Sequence, residues 1–363
     1  MKIFIIYASA GFGHQKIAEA INEVALDTRK GDEIKLFDIL DHTNPFFRFI
    51  YSKGYIFTIT KIQWLWSILF FLADTKYLSV INRNLRCYVN SLFCSDFLAY
   101  IKNENPDYVI STHFLVNELV SSLKKNNQIK TKLVSVVTDF GVHDFWIADN
   151  IDMYVAASDY TKQILIDKRI KENKITVLGL PVRRQFTEIV DPESIKRRLG
   201  LNSDFTVLML TGGVGIGPII EVVEALKDSV NIIVICGKNL KLCTQLKEKN
   251  YKNLVPLCWI DNVHEIMAAS DLLITKPGGS SIYESLIMGL PMVFFCFIPG
   301  QESQNAKIMS ELGLGFIIKE PNKIRDKVIY FKDNPQELDE IKKKILNFRI
   351  KNSATKILEL LNE

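Results

Sequence analysis

Short apolar runs rich in β-branched and aromatic residues, separated by stretches of helical periodicity, constrain this chain more than any other feature. KIFIIYAS, EIKLFDIL, DYVIST, KLVSVVTD, DMYVAAS and ITVLGLP occupy the first half. After a polar passage, DPESIKRRLGLNSD, come FTVLMLTGG, NIIVICG, DLLITKPGG, PMVFFCF and GFIIKE. A strand with one wet face alternates apolar and polar residues. These runs do not, so both faces are covered and the sheets are parallel, in an α/β architecture. Each half opens with a strand, a glycine loop and a helix, FIIYASAGFGH and VLMLTGGVGIG. The repetition predicts two doubly wound, Rossmann-like domains joined near 185–203 and facing a cleft, with ligand at the carboxyl ends of the strands. The expected division is a first domain over 1–190, a second over 191–340, and a helical 341–363 packing back on the first.

A net charge of +4 is too mild to argue for nucleic acid, but suits an anionic ligand or an anionic membrane surface. Cys87, Cys94, Cys236, Cys243, Cys258 and Cys296 are scattered, without CxxC or metal spacing, and read as reduced core thiols rather than disulfides or zinc ligands. The opening MKIFIIYASA runs into a glycine loop and helix, and so reads as a first strand rather than a leader. No run reaches the roughly 20 apolar residues that span a bilayer; IQWLWSILFFLA, at 62–73, comes closest. The surrounding insertion, 42–95, interleaves aromatics with Arg48, Lys53, Lys61, Lys76, Arg83 and Arg86 against one acid, Asp74. Rings and cations in that mixture suit an interfacial segment, with Trp64, Trp66, Lys53 and Lys61 as membrane contacts; a buried helical insertion is the other reading.

The GFGH turn puts Gly11 and Gly13 at a close backbone approach and His14 at a helix start, where the dipole keeps an imidazole neutral enough to accept a proton. His14 is thus a candidate general base, and equally a plain polar residue at a helix end. A dinucleotide site with Asp38 on the ribose ranks low, because Lys16 stands where G-x-G-x-x-G needs its last glycine. TGGVGIG, with Gly213, can cradle phosphate through backbone donors. In KPGGSSIYES, Gly278 and Gly279 permit close approach, Ser280 and Ser281 can donate to a diphosphate, and Glu284 can accept from a ribose diol. Ser281 and Glu284 also fit a capping box. Gln301, Glu302 and Asn305 in GQESQN suit sugar hydroxyls, or form an exposed polar loop.

KPGGSSIYESLIMGLP followed by PGQESQNA resembles the donor-binding signature of glycosyltransferase family 28, and within it the diacylglycerol glycosyltransferases. The similarity extends through GFGH, VVTDFGVHDFWI, YVAASDYTKQIL, GLPVRRQF, GGVGIGPI and VICGKN, over nearly the whole chain. It implies a GT-B fold, a UDP-sugar on the second domain and a lipid acceptor on the first. It further implies that Glu284 binds ribose, that Ser281 and Gly279 meet the diphosphate, and that Gln301 and Glu302 meet the sugar. Ile260, with Val263 in the same CWIDNV run, falls where the related peptidoglycan transferase holds uracil, and Arg183 falls near the phosphates. His14 falls on the family's proposed base, with Asp139 as second choice or orienting partner; Gly13, His143 and Trp146 fall toward the acceptor. Ser281 replaces a usual Thr, while Thr211 and Val214 stand where plant members carry Gly and Glu.

The chain contains no D-x-D, which argues against a metal on the diphosphate. The expectation is therefore a metal-independent, cofactor-free, inverting hexosyltransferase, with glucose favoured over galactose. It would act on 1,2-diacylglycerol at the cytoplasmic face of the cell membrane, as a peripheral protein and with room for a homodimer. The competing readings are a polyprenyl-diphosphate or non-lipid acceptor, and a non-catalytic UDP-sugar sensor.

Overall fold

The computed structural model describes residues 1–9, 11–54, 58, 62, 76–210, 212, 213, 215, 217–297 and 300–362, without side-chain detail at 52, 53 and 76–84. Trp64, Trp66 and Lys61, and the side chain of Lys53, lie outside this set. The chain forms two units. The first comprises Met1–Arg184, Ile298–Gln301 and Ile350–Glu363; the second comprises Gln185–Phe297 and Glu302–Arg349. The helix Pro335–Phe348 thus stays with the second unit, while Ser353–Glu359 packs on Phe12–Thr28 of the first. Arg29 ties that packing by donating to the Leu358 carbonyl and to Asn362.

The first unit is a six-stranded parallel sheet of β1 (Lys2–Tyr7), β2 (Glu33–Asp38), β3 (Tyr108–Ser111), β4 (Lys132–Val136), β5 (Met153–Ala156) and β6 (Ile175–Val177), in the order β2-β1-β3-β4-β5-β6. Ile3, Phe4, Ile5 and Ile6 are all fully buried, because β1 is covered on both faces. Each such side chain contributes about 1.5–3 kcal/mol by leaving water, which is why these runs carry no polar alternation. The chain leaves β1 in one direction for β2 and in the other for β3, so the sheet reverses its strand order between β1 and β3. A crevice opens at such a switch point, beyond the carboxyl ends of the two strands.

The second unit repeats the plan with β7 (Thr206–Leu210), β8 (Asn231–Ile235), β9 (Leu254–Leu257), β10 (Leu272–Thr275), β11 (Met292–Phe294) and β12 (Gly315–Ile317), in the order β12-β11-β10-β7-β8-β9. Its switch point lies between β7 and β10, joined there by Thr275 Oγ1 donating to the Leu210 carbonyl at 2.6 Å. Strand β9 is an addition to the sequence expectation. It contains Pro256, which removes a ladder donor and is tolerated because β9 is the edge strand.

The cysteines need a correction. Cys243, on the helix Leu240–Glu248, is joined to Cys258, just past β9, with Cα atoms 5.7 Å apart. That helix packs on β9 and brings the two thiols together from distant positions, a pairing that no spacing motif announces. Cys87, Cys94, Cys236 and Cys296 are free.

Candidate active site

The helix Phe12–Thr28 follows β1 and starts at the first switch point. Its N-cap residue, Gly11, offers no side-chain cap, and a Cβ there would meet nothing within 4 Å. Among the described residues, the structure shows no close approach of the kind expected at Gly11. His14 sits in the first turn, and its Nδ1 lies 2.7 Å from the Thr112 carbonyl oxygen beyond β3. A carbonyl can only accept, so Nδ1 carries the proton and Nε2 keeps the lone pair. Thr138 Oγ1 lies 3.1 Å from the same Nδ1, and Thr112 Oγ1 donates back to the His14 carbonyl at 3.0 Å. The tautomer needed for accepting a proton at Nε2 is built into the backbone.

Burial pushes the His14 imidazole down to about 4, with the Thr112 carbonyl pulling the other way. Desolvation rather than the helix dipole is thus the main cause of its neutrality. An unfolded histidine titrates near 6.5, so between pH 6.5 and 4 only the unfolded chain takes up this proton. Stability is unaffected above that window and falls through it on acidification. The expected loss from His14 alone is on the order of 3 kcal/mol, each pH step across that window being worth about 1.36 kcal/mol. Urea midpoints measured from pH 7 to pH 4 should fall for wild type, and fall less for His14→Ala.

His113 was not singled out in the sequence, yet it lies beside His14 with ring centroids 4.5 Å apart. Its signal was the polar STH run ending a buried strand. Burial, with His14 adding to it, holds its imidazole well below the usual histidine range. Phe114 continues the layer, 4.1 Å from His113 and 6.0 Å from Trp146, which is in turn 6.2 Å from His14.

His143 and Trp146, expected to face an acceptor, are interior residues, 3% and 1% exposed. His143 Nδ1 accepts from Phe145 N–H and caps the short turn Asp144–Trp146. Arg86 stacks over Phe145 at 4.3 Å and pairs with buried Glu118 at 2.7 Å. Asp139 is buried after β4, Gly13 is half-buried in the first helical turn, and Arg183 is half-buried at the end of the first unit. Asp38 accepts from Ser9 N–H and Leu40 N–H, so its carboxylate organises the loops after β1 and β2.

In the second unit, the helix Gly279–Met288 begins immediately after β10, with Gly278 as its N-cap and no side-chain cap. Ser281 is therefore the third helical residue, and the expected capping box does not form. Among the described residues the first-turn N–H groups have no side-chain cap, and the dipole favours an anion there. Ser280 and Ser281 are half-buried in that turn and Glu284 is buried one turn further in. Across the switch point, Gly213 accepts from Lys238 N–H at 2.9 Å, and Gly215 sits at φ +62°. A Cβ on Gly215 would lie 2.3 Å from the Cys236 carbonyl, so only glycine fits. Ile260 lies in the short loop after β9, and Val263 opens the helix Val263–Ala268 that follows.

Asn305 is buried, and its amide donates to the Pro277 carbonyl at 3.1 Å, bracing the loop before Gly278. Gln301 and Glu302 open the helix Gln301–Glu311 and are half-buried, with Gln301 grouped in the first unit.

The profile of the monogalactosyldiacylglycerol (MGDG) synthase family matches residues 14–182, and that of the glycosyltransferase family 28 C-terminal domain matches 207–357. The chain is 26% identical over 365 residues to the processive diacylglycerol β-glucosyltransferase of Bacillus pumilus, covering 99% of this chain and 94% of that protein. Among solved structures it resembles Acinetobacter baumannii MurG, with a TM-score of 0.60, 14% identity and 99% of both chains covered. It also resembles Anabaena HepE in complex with UDP-glucose, with a TM-score of 0.58, 14% identity, and 100% of this chain and 99% of that one covered. These likenesses show the GT-B fold, two doubly wound parallel-sheet units in one chain. With one profile on each half, the chain belongs to glycosyltransferase family 28, in its diacylglycerol glycosyltransferase group.

Proposed function

We propose that this chain moves a hexose, glucose in preference to galactose, from a UDP-sugar to 1,2-diacylglycerol at the cytoplasmic membrane surface, with inversion to a β-glycoside. The observation that carries the reading is the fixed His14 tautomer, a lone pair at Nε2 in the unit whose profile is that of a lipid galactosyltransferase. The glucose preference follows the name of the Bacillus relative, and the donor class follows the UDP-glucose in the Anabaena structure.

His14 Nε2 takes the proton of the lipid hydroxyl as its oxygen bonds to the anomeric carbon, and the bond from that carbon to the diphosphate oxygen breaks. An imidazole this weakly basic does not ionise an alcohol in advance; proton transfer accompanies carbon–oxygen bond formation. UDP leaves with the bonding pair. Its growing charge is met by the helix start at Gly279, the Ser280 and Ser281 hydroxyls, the Gly213 loop and Arg183 rather than by a metal. Ile260 and Val263 receive the uracil, Glu284 the ribose, and Gln301 and Glu302 the sugar. Gly13, His143 and Trp146 shape the acceptor side.

Membrane docking rests on the helix Lys76–Phe93, where Leu85, Tyr88, Val89 and Leu92 are exposed at helical spacing, and on exposed Phe46, Phe49 and Ile50 nearby in sequence. No helix among the described residues is long and apolar enough to cross a membrane.

The test is incubation with vesicles containing diacylglycerol or a polyprenyl diphosphate and each UDP-sugar, with EDTA in parallel, followed by mass analysis of the lipids. Hexosyl-diacylglycerol formed from UDP-glucose, undiminished by EDTA, is expected; UDP binding without any product would leave a sensor. Glu284→Ala should weaken UDP-glucose binding about 10–100-fold, from loss of a charge-assisted hydrogen bond worth roughly 1.5–3 kcal/mol. Calorimetric titration checks this, and an unchanged affinity removes Glu284 from the ribose site.

A further inference from the structure

His113 immediately follows Thr112, whose carbonyl orients His14, and is 1% exposed. Leu115 N–H donates to its Nδ1 at 3.1 Å, so the His113 proton sits on Nε2. Two touching imidazoles thus hold opposite tautomers, each set by the backbone, with planes at 74°. Tyr51 and Phe114 pack on the His113 ring at 5.9 and 4.1 Å.

As a helix cap, His113 asks for only one acceptor atom, and elsewhere this chain uses Asn44, Ser158, Asp191 and Asn239 for that task. The ring itself has a different use. The χ2 torsion of histidine is broad and roughly two-fold, so a flip of His14 would exchange Nδ1 for a carbon and forfeit the Thr112 bond. A packed wall against the ring opposes that flip.

We propose that His113 is a positioning residue for the transfer reaction, its ring walling His14 so that Nδ1 stays on the Thr112 carbonyl and Nε2 stays available as the proton acceptor. The inference rests on the proposed reaction for its kinetic consequence and on the fold alone for its effect on His14.

The test compares two variants. His113→Asn keeps a capping acceptor and removes the ring; His113→Phe keeps a ring and removes the cap. For His113→Asn the expected result is a lowered Tm, from the gap the lost ring leaves, and near-normal UDP affinity, with kcat, read at a temperature where the variant is folded, lowered about ten-fold or more, as misplacement of a reacting group implies. Its His14 imidazole ¹⁵N signals should shift from the pure Nδ1–H tautomer to a mixture. His113→Phe should lower Tm and keep both kcat and the His14 tautomer. Wild-type kcat and tautomer in His113→Asn would overturn the proposal and leave His113 as a cap. If wild type transfers no sugar, the reaction assigned above fails, while the ¹⁵N signals still decide whether His113 holds His14.

Discussion

Replacing His14 with alanine lowers turnover by about 10²–10⁴-fold, the range for losing general-base help, and leaves UDP affinity unchanged. The separation is expected because His14 belongs to the first unit, whereas most of the proposed nucleotide contacts belong to the second. Alanine also leaves the Thr112 carbonyl without the Nδ1 donor, which costs about 1–3 kcal/mol of stability for a buried group. A melting curve therefore accompanies the assay, and turnover is compared at a temperature where both proteins are folded. His14→Gln sharpens the comparison, since its amide can still donate to Thr112 but is no base. Full turnover in either variant removes His14 from the chemistry and moves attention to Asp139, the other candidate on this unit. The rate should also share the acid limb of the imidazole. With the free-protein value near 4, kcat/KM stays level from neutral pH to about pH 5 and falls below it.

The architecture was legible because burial on both faces leaves a mark that local sequence carries. IIVI, LLIT and MVF each form a strand within a residue or two of their apolar limits. Strand β9 escaped because Pro256 weakens that mark, and only its edge position in the assembled sheet excuses the proline. The site was legible where glycine, histidine and serine cluster after a strand, since strand ends at a switch point are brought together by topology. It was not legible where a side chain's partner is distant in sequence. His113 meets His14 from 99 positions away, Asn305 reaches back to Pro277, and Cys243 finds Cys258 only when a helix packs on β9. The S-x-x-E pattern at Ser281 misled for a local reason: the helix begins three residues earlier than a capping box requires.

Changing Leu85, Tyr88 and Leu92 together to aspartate should lower binding to vesicles about 10²-fold while leaving Tm and UDP affinity unchanged. All three are exposed on the helix Lys76–Phe93, Tyr88 at 65%, so the folded protein gives up little packing when they are replaced. Spacing of three and four residues puts them on one face with Val89, a stripe that is largely exposed. Full transfer of such side chains from water is worth about 1.5–3 kcal/mol each, and partial insertion at headgroup depth about half of that. Three together then supply roughly 3 kcal/mol, which sets the expected factor. Aspartate adds repulsion from anionic lipid, so the loss should be larger on anionic than on neutral vesicles and should shrink with salt. Arg86, on the same helix but turned inward to Glu118 and Phe145, is the internal contrast: its replacement should lower Tm more than vesicle affinity. Undiminished vesicle binding by the triple variant would mean that this stripe does not carry the docking, and would shift it to the aromatic segment around Trp64 and Trp66.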